Sequence, residues 1–328
     1  MKITNHEING NKAVTIENNA GLCVTLCSLG AGIASIKMPD CDGVKRELTK
    51  LSDKGYGCGH NGLTTGRTAG RIDGATFTID GKTAVLEKNN FGVDNLHGGA
   101  NALHNKVYAM EISEKDCNTE VIFTYRSPDG EGGYFGNIEL SVIYTVYADK
   151  NVMELAYKAT ADRKTLLNVT NHVYLNASGD LREPVTKQQM YINASRVGKL
   201  DERLITRDIV PVPDRFDFRK AHAVGDFVND ELVQRYTHGY DHPFFLDDRG
   251  LDKTACSLYS SLSGIKISVS TTYPCTVVYG DNFGGYNAVC FECQYHPDGI
   301  HACPDDCGIL SPDKPYYNVM RYEFETKK

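Results

Sequence analysis

The stretch Ile138-Glu-Leu-Ser-Val-Ile-Tyr-Thr-Val146 alternates apolar and polar side chains, the period of two that marks a β-strand packed on one face. Segments of alternating or apolar character recur on both sides of it: Ala13-Val-Thr-Ile16, Cys23-Val-Thr-Leu26, Thr76-Phe-Thr-Ile79, Glu120-Val-Ile-Phe-Thr-Tyr125 and Ile265-Lys-Ile-Ser-Val269. Turn pairs punctuate them, among them Asp42-Gly43, Asp80-Gly81, Asp129-Gly130, Arg249-Gly250 and Ser263-Gly264. Helical periodicity is confined to short pieces such as Asp230 to Tyr236. There is no internal repeat, low-complexity tract or linker-like shift in composition. The pattern predicts an all-β fold, two packed sheets in one domain over residues 1–328, with few short helices. A chain of 328 residues buries roughly three quarters of its unfolded surface, so it needs no disulfide or metal staple.

Composition narrows the function. The net charge is −7 with no basic block, which argues against nucleic acid and against an anionic membrane surface. The N terminus, Met-Lys-Ile-Thr-Asn-His-Glu, lacks the charged and apolar regions of a secretory signal. The longest uncharged run, Asn18 to Ile36, is diluted by Gly, Ser and Thr. It reads as two short buried strands around the Gly30-Ala31-Gly32 turn, not as a membrane span. Eleven cysteines, an odd number at irregular spacings, fit reduced thiols, and a cytoplasmic location is expected.

A second stretch concentrates polar chemistry. In Asn168-Val-Thr-Asn-His-Val-Tyr-Leu-Asn-Ala-Ser-Gly179, read as a strand, Val173 and Leu175 share one face and His172, Tyr174 and Asn176 the other. Imidazole, phenol and carboxamide in a row are expensive to bury without partners. Such a face suits a ligand made of hydroxyls, such as a sugar; the alternative is a set of internal hydrogen bonds. Trp is absent, so stacking on a ligand falls to Tyr or Phe. In Gly66-Arg-Thr-Ala-Gly-Arg-Ile-Asp-Gly74 the two guanidinium forks can meet hydroxyls or carboxylates, and we assign Arg71 to a ligand and Arg67 to structure. His97 precedes paired glycines, where backbone approaches a ligand closely. Asp241, in His238-Gly-Tyr-Asp-His-Pro-Phe244, is either a turn residue or an acceptor for a ligand hydroxyl. Gly57-Cys-Gly-His-Asn-Gly62 matches the spacing of a dinucleotide fingerprint. The next residues, Leu63-Thr-Thr-Gly-Arg-Thr-Ala-Gly70, make a poor helix N-terminus for phosphate, so nucleotide binding is not expected.

Cys290-x-x-Cys293 and Cys303-x-x-x-Cys307, with His296 and His301 between them, have metal-ligand spacing. Ala288 to Tyr295 reads as a strand, however, in which positions three apart point to opposite faces. The first pair then cannot converge on one ion, and no metal site is assigned. On that strand Cys290, Glu292 and Gln294 share a face, with Glu292 the lone charge in an apolar stretch. Desolvation raises the pKa of such a carboxylate and suits it to act as a general base; the alternative is a buried Glu paired with Arg.

Six segments, taken in order, resemble the aldose 1-epimerase (galactose mutarotase) family. They are Gly66-Arg-Thr-Ala-Gly-Arg-Ile72, Asn95-Leu-His-Gly-Gly99, Asn168-Val-Thr-Asn-His-Val-Tyr-Leu-Asn176, Phe216-Asp-Phe-Arg219, Tyr240-Asp-His-Pro-Phe244 and Phe291-Glu-Cys-Gln294 with Pro297-Asp298. The resemblance runs through effectively the whole chain, to Tyr322-Glu-Phe324. It implies a single β-supersandwich domain of the galactose mutarotase-like kind, a cleft for a free hexose, and no cofactor. The family's general acid falls on His172 and its general base on Glu292. Its sugar-contacting Arg falls on Arg71, its second His on His97 and its hydroxyl-binding Asp on Asp241; Gln294, beside the base, joins the substrate-binding set. The family usually has Asn before the Arg that falls on Arg71, and this chain has Gly70. The lost carboxamide is worth about 1 kcal/mol and bears on which sugar is preferred. Tyr134-Phe-Gly136 replaces the usual Tyr-Pro-Gly, a turn change.

The function implied is that of an isomerase interconverting the α and β anomers of a free hexose such as galactose or glucose. The expected partner is a small monosaccharide, with no nucleic acid and no membrane, and the chain is expected to be a monomer or a homodimer. A glycoside hydrolase would use Asp241 and Glu292 as its carboxylate pair but leaves His172 without a task. A hexose-phosphate 1-epimerase would need a cationic pocket, for which Arg67 and Arg71 are the candidates. A non-catalytic sugar-binding protein need not keep both His172 and Glu292.

Overall fold

Burial follows the alternation of the 138–146 stretch. In the computed structural model, which describes residues 1–327, Ile138, Leu140, Val142, Tyr144 and Val146 are each no more than 1% exposed. Between them Glu139 is exposed and Ser141, Ile143 and Thr145 are half-buried. Their strand, Ile138–Tyr147, is third in a nine-stranded sheet. Its order is Ala109–Glu114, Asn118–Ser127, Ile138–Tyr147, Val152–Ala161, Tyr316–Thr326, Ile265–Thr271, Cys256–Tyr259, Gln189–Ile192 and His222–Ala223. All ladders in it are antiparallel.

The N-terminal strands Lys2–Ile8, Asn11–Glu17, Cys23–Cys27, Gly32–Pro39 and Lys45–Glu47 form a five-stranded sheet in chain order. A second five-stranded sheet runs Thr206–Pro211, Ala194–Leu200, Asp241–Leu246, Cys275–Tyr279, Cys290–Gln294. One apolar cluster joins the three sheets, with Val14 and Ile16 from the first, Val142 and Met320 from the nine-stranded sheet, and Val278 and Phe291 from the second. The fold is an all-β, sandwich-like assembly of open sheets, as expected, but it is built from three large sheets and not two. Among the described residues two short α-helices accompany it, Glu231–Thr237 and Gly299–Ala302. The first begins where an Asp N-cap predicts, with the Asp230 carboxylate accepting the Leu232 N–H at 2.9 Å. The uncharged run from Asn18 forms the expected strands Cys23–Cys27 and Gly32–Pro39. Among the described residues no helix is long and apolar enough to cross a membrane.

Two local expectations do not hold. The 168–179 stretch is not one strand, because only Thr170–Asn171 pairs in a ladder, with Thr64–Thr65. Beyond it the backbone is extended but shared among three neighbours. The Gly62 N–H donates to the His172 carbonyl, the Lys50 N–H to that of Tyr174, and Leu175 exchanges both bonds with Val289. No single partner stays alongside long enough to make a sheet. Asp241 is likewise not in a loop; it opens the strand Asp241–Leu246, which runs through Pro243. Pro is tolerated there because pairing with Ala194–Leu200 stops at Val197–Phe244. Gly198 leaves the ring its space, since a Cβ at that position would lie 2.5 Å from Pro243 Cγ.

Candidate active site

The second five-stranded sheet supplies one wall of a cleft. Asp241 with Pro243, Val277 with Tyr279, and Glu292 with Gln294 are period-two pairs on three neighbouring strands, and all six line it. Loops bring the remaining groups across from the other side. Arg71 starts the two-residue strand Arg71–Ile72, which pairs with Asn95–Leu96, so His97 emerges next to it. His97 holds a φ of 52°, and Gly98 comes next at 85°. A Cβ on Gly98 would meet the Gly66 carbonyl oxygen at 2.4 Å, so this approach of two backbones requires glycine. His172 and Tyr174 enter from the threaded segment, their rings stacked at 5.1 Å with an interplanar angle of 20°. The cleft has a volume of about 250 Å³.

At its base His172 Nε2 lies 3.3 Å from Glu292 Oε1, and the two side chains are 7% and 4% exposed. Burial, reinforced by the nearby Asp241 carboxylate, raises the Glu292 carboxyl well above the usual range. Burial also lowers the His172 imidazole to about 4. Both shifts favour a neutral pair over an ion pair. His97 is wired differently. The Gly70 N–H donates to its Nδ1 at 3.1 Å, and burial holds the ring neutral, so its proton resides on Nε2.

That tautomer bears on metal chemistry. Donor atoms of His97, His172 and Glu292 lie within 4.8 Å of one another, a spacing that can hold an ion. With Nδ1 occupied by the Gly70 N–H, His97 Nε2 carries hydrogen and has no lone pair to give. The set is built to donate hydrogen bonds, not to ligate a metal.

Arg71 Nη2 donates to Asp241 Oδ2 at 3.1 Å, and both side chains are 15% exposed. Burial raises the Asp241 carboxyl, with Arg71 opposing. Among the described residues Arg71 Nε and Gln294 Oε1 are buried without a protein partner, as is His172 Nδ1. Buried polar atoms are rarely left unmet, so the cleft is prepared for an occupant that donates and accepts hydrogen bonds. All six residues named from the sequence, Arg71, His97, His172, Asp241, Glu292 and Gln294, therefore line one cleft.

Other candidates fall elsewhere. Arg67 is buried, and its guanidinium donates to the Ser127 hydroxyl and to the carbonyls of Ser127, Pro128, Phe135 and Gly136; it is structural, as expected. Asn176 does not share the cleft with His172 and Tyr174. Its amide braces the backbone, donating to the carbonyls of Glu183 and Asn287. Cys293 faces Cys256, whereas Cys290 lies by Glu292 on the opposite face of the strand. The cysteine cluster thus does not converge.

Four further cleft residues, His60, Tyr279, Tyr236 and Phe283, are not singled out by the sequence. His60 sits inside the Gly57–Gly62 stretch, whose spacing suggests only phosphate. Phe283, 82% exposed, stands at the rim. An aromatic beside Gly-Gly in a loop is the available signal for it.

The family model described as aldose 1-epimerase matches residues 12–323. An aldose 1-epimerase of Escherichia coli K12 is 31% identical, covering 95% of each chain. A galactose mutarotase of Bos taurus is 29% identical over 92% of this chain and 91% of its own. Among solved structures, a galactose 1-epimerase from Lactobacillus acidophilus superposes with a TM-score of 0.86 at 26% identity, covering 100% of this chain and 99% of that one.

Proposed function

This chain belongs to the aldose 1-epimerase family and is an isomerase, and from that premise we propose that its substrate is a free hexose such as galactose or glucose. The observation that carries the reading is the buried contact of His172 with Glu292 in a cleft of neutral hydrogen-bonding groups. On this reading Glu292 takes the proton from the C1 hydroxyl while His172 gives one to the ring oxygen, and the ring opens to the aldehyde. Rotation about C1–C2 presents the other carbonyl face. Closure then returns both protons and yields the second anomer.

On this division of labour the one proton shared by the pair passes from Glu292 to His172 across their 3.3 Å contact before the ring opens. When the ring opens, Glu292 has become protonated and His172 neutral, which is the state that burial of both groups favours. The cost of forming the ion pair from the neutral resting pair is returned as the ring opens. Arg71 and Asp241 hold one another in place for hydroxyls, and the His97 Nε2–H offers a fixed donor.

A sugar phosphate is less well served. Arg71 is the only Lys or Arg lining the cleft among the described residues, and it faces Asp241. Arg67, the other candidate for a phosphate pocket, is spent on backbone carbonyls. The cleft's volume of about 250 Å³ falls below the roughly 300–1,000 Å³ of drug-sized clefts and suits a single sugar ring.

Magnetisation-transfer NMR on equilibrated galactose and glucose tests the reading. Accelerated α/β exchange is expected, and His172→Ala and Glu292→Gln should each slow it by roughly 10²–10⁴-fold. Absence of acceleration with both sugars would overturn it.

A further inference from the structure

The acid/base pair and the hydroxyl-binding groups leave one imidazole of the cleft without a task. His60 is carried by a glycine-rich turn in which Gly57, Gly59 and Gly62 all have positive φ. That turn is fastened to the backbone of His172. The Gly62 N–H donates to the His172 carbonyl at 2.9 Å, and the His172 N–H donates to the Leu63 carbonyl at 3.0 Å. The Asn171 carboxamide adds a bond to the Gly62 carbonyl at 2.8 Å. A Cβ on Gly62 would lie 2.0 Å from the Ile33 carbonyl oxygen, so the approach depends on glycine.

The His60 ring is packed among three other imidazoles. It stacks on His172 with centroids 5.7 Å apart and an interplanar angle of 24°. His97 lies at 4.9 Å, and the edge of His104 meets it at 4.6 Å and 78°. Its open side faces the cleft. Among the described residues neither ring nitrogen has a hydrogen-bond partner. Packing alone would be served as well by an apolar ring, whereas the half-buried His60 brings two unpartnered nitrogens to the cleft wall.

Burial, with His172 beside it, lowers the His60 imidazole to about 4, so the ring is neutral near pH 7. A neutral imidazole offers one donor and one acceptor. A hydroxyl does both as well, whereas a phosphate or carboxylate wants donors and positive charge.

We propose that His60 is a substrate-binding residue of this cleft, hydrogen-bonding one hydroxyl of the sugar through a ring nitrogen and so contributing to the choice of sugar. The inference rests on the free-hexose reading. It adds a neutral group from a turn that otherwise serves only to support His172.

Direct binding separates the two. Hexose affinity is measured by NMR titration for the wild type, His60→Phe, which keeps a ring against His172 and His104, and His60→Gln, which keeps a donor and an acceptor. His60→Phe should weaken binding of the preferred hexose by about 5–20-fold, the loss of one hydrogen bond, with its melting temperature maintained. His60→Gln should recover part of that loss. Across the 2-, 3-, 4- and 6-deoxy sugars, one analogue should bind wild type and His60→Phe equally, and that analogue identifies the hydroxyl. Wild-type affinity in His60→Phe for every sugar would overturn the role of His60 while leaving the hexose reading intact. A wild-type protein that binds neither galactose nor glucose would overturn the reading itself, and this inference with it.

Discussion

Glu292 and His172 set the expected pH behaviour. Proton exchange with a sugar needs one proton between them, and a second proton on His172 while Glu292 is still protonated leaves no base. Because burial lowers His172 to about 4, kcat/KM should stay level as pH falls from 7 towards 5 and then drop with a midpoint near 4. An imidazole with its ordinary value would place that limb near 6.5. Polarimetric rates across roughly pH 3.5–8 decide between them. Gly70 also acts at this scale. Its φ of 71° and the 2.9 Å between a Cβ there and Pro297 Cβ mean that a carboxamide side chain would enter only if Pro297 moved. The absence of Asn before Arg71 is therefore built into the cleft wall.

Among elements, the hairpin loop between Ala194–Leu200 and Thr206–Pro211 matters for what it covers. Leu200, Leu204 and Thr206 line the cleft together with His97 and Arg71. Arg203 fastens this loop through Asp94 at 2.5 Å and Asp73 at 2.8 Å, and Arg207 joins Asp73 to Asp201. Asp94 is fully buried, and its carboxylate also accepts from the Gly74 N–H. Arg203→Ala should therefore leave an unpaired buried carboxylate and lower stability by about 3 kcal/mol, read by urea denaturation. It should also raise KM several-fold with kcat little changed, since no reacting group is touched. A variant with unaltered KM would show that the loop keeps its position without the clasp. The Gly57–Gly62 motif carries a related lesson. Its spacing resembles a phosphate loop, but no helix comes after it, and the turn instead serves to place His60.

For the whole molecule, buried imidazoles tie stability to pH. Burial holds His60, His172 and His242 at about 4 and His104 at about 3. In the unfolded chain they titrate near 6.5. Between roughly 4 and 6.5 the unfolded state then binds more protons, so stability rises with pH across that window. Glu292 and Asp241, both raised by burial, work the other way above about 4.5. With His97 and His296, also lowered by burial, six imidazoles outweigh two carboxyls, and the melting temperature should be several degrees lower at pH 5 than at pH 7. A melting temperature that is flat or falls from pH 5 to 7 would mean these histidines are not held neutral. The sequence alone determined that the chain is all-β and where most strands and turns lie, and the resemblance of its motifs to a known family implied which six residues meet in the cleft. Strand period and turn chemistry are local steric facts, and the motifs are local too. Only the tertiary structure decided which polar groups are already satisfied. Arg67 and Arg71 stand four residues apart in one segment, yet one is enclosed by backbone carbonyls and the other reaches Asp241, 170 residues away. Burial and partnership come from non-local packing, and they make His60 part of the cleft, Asn176 part of the frame, and Glu292 with His172 a neutral pair.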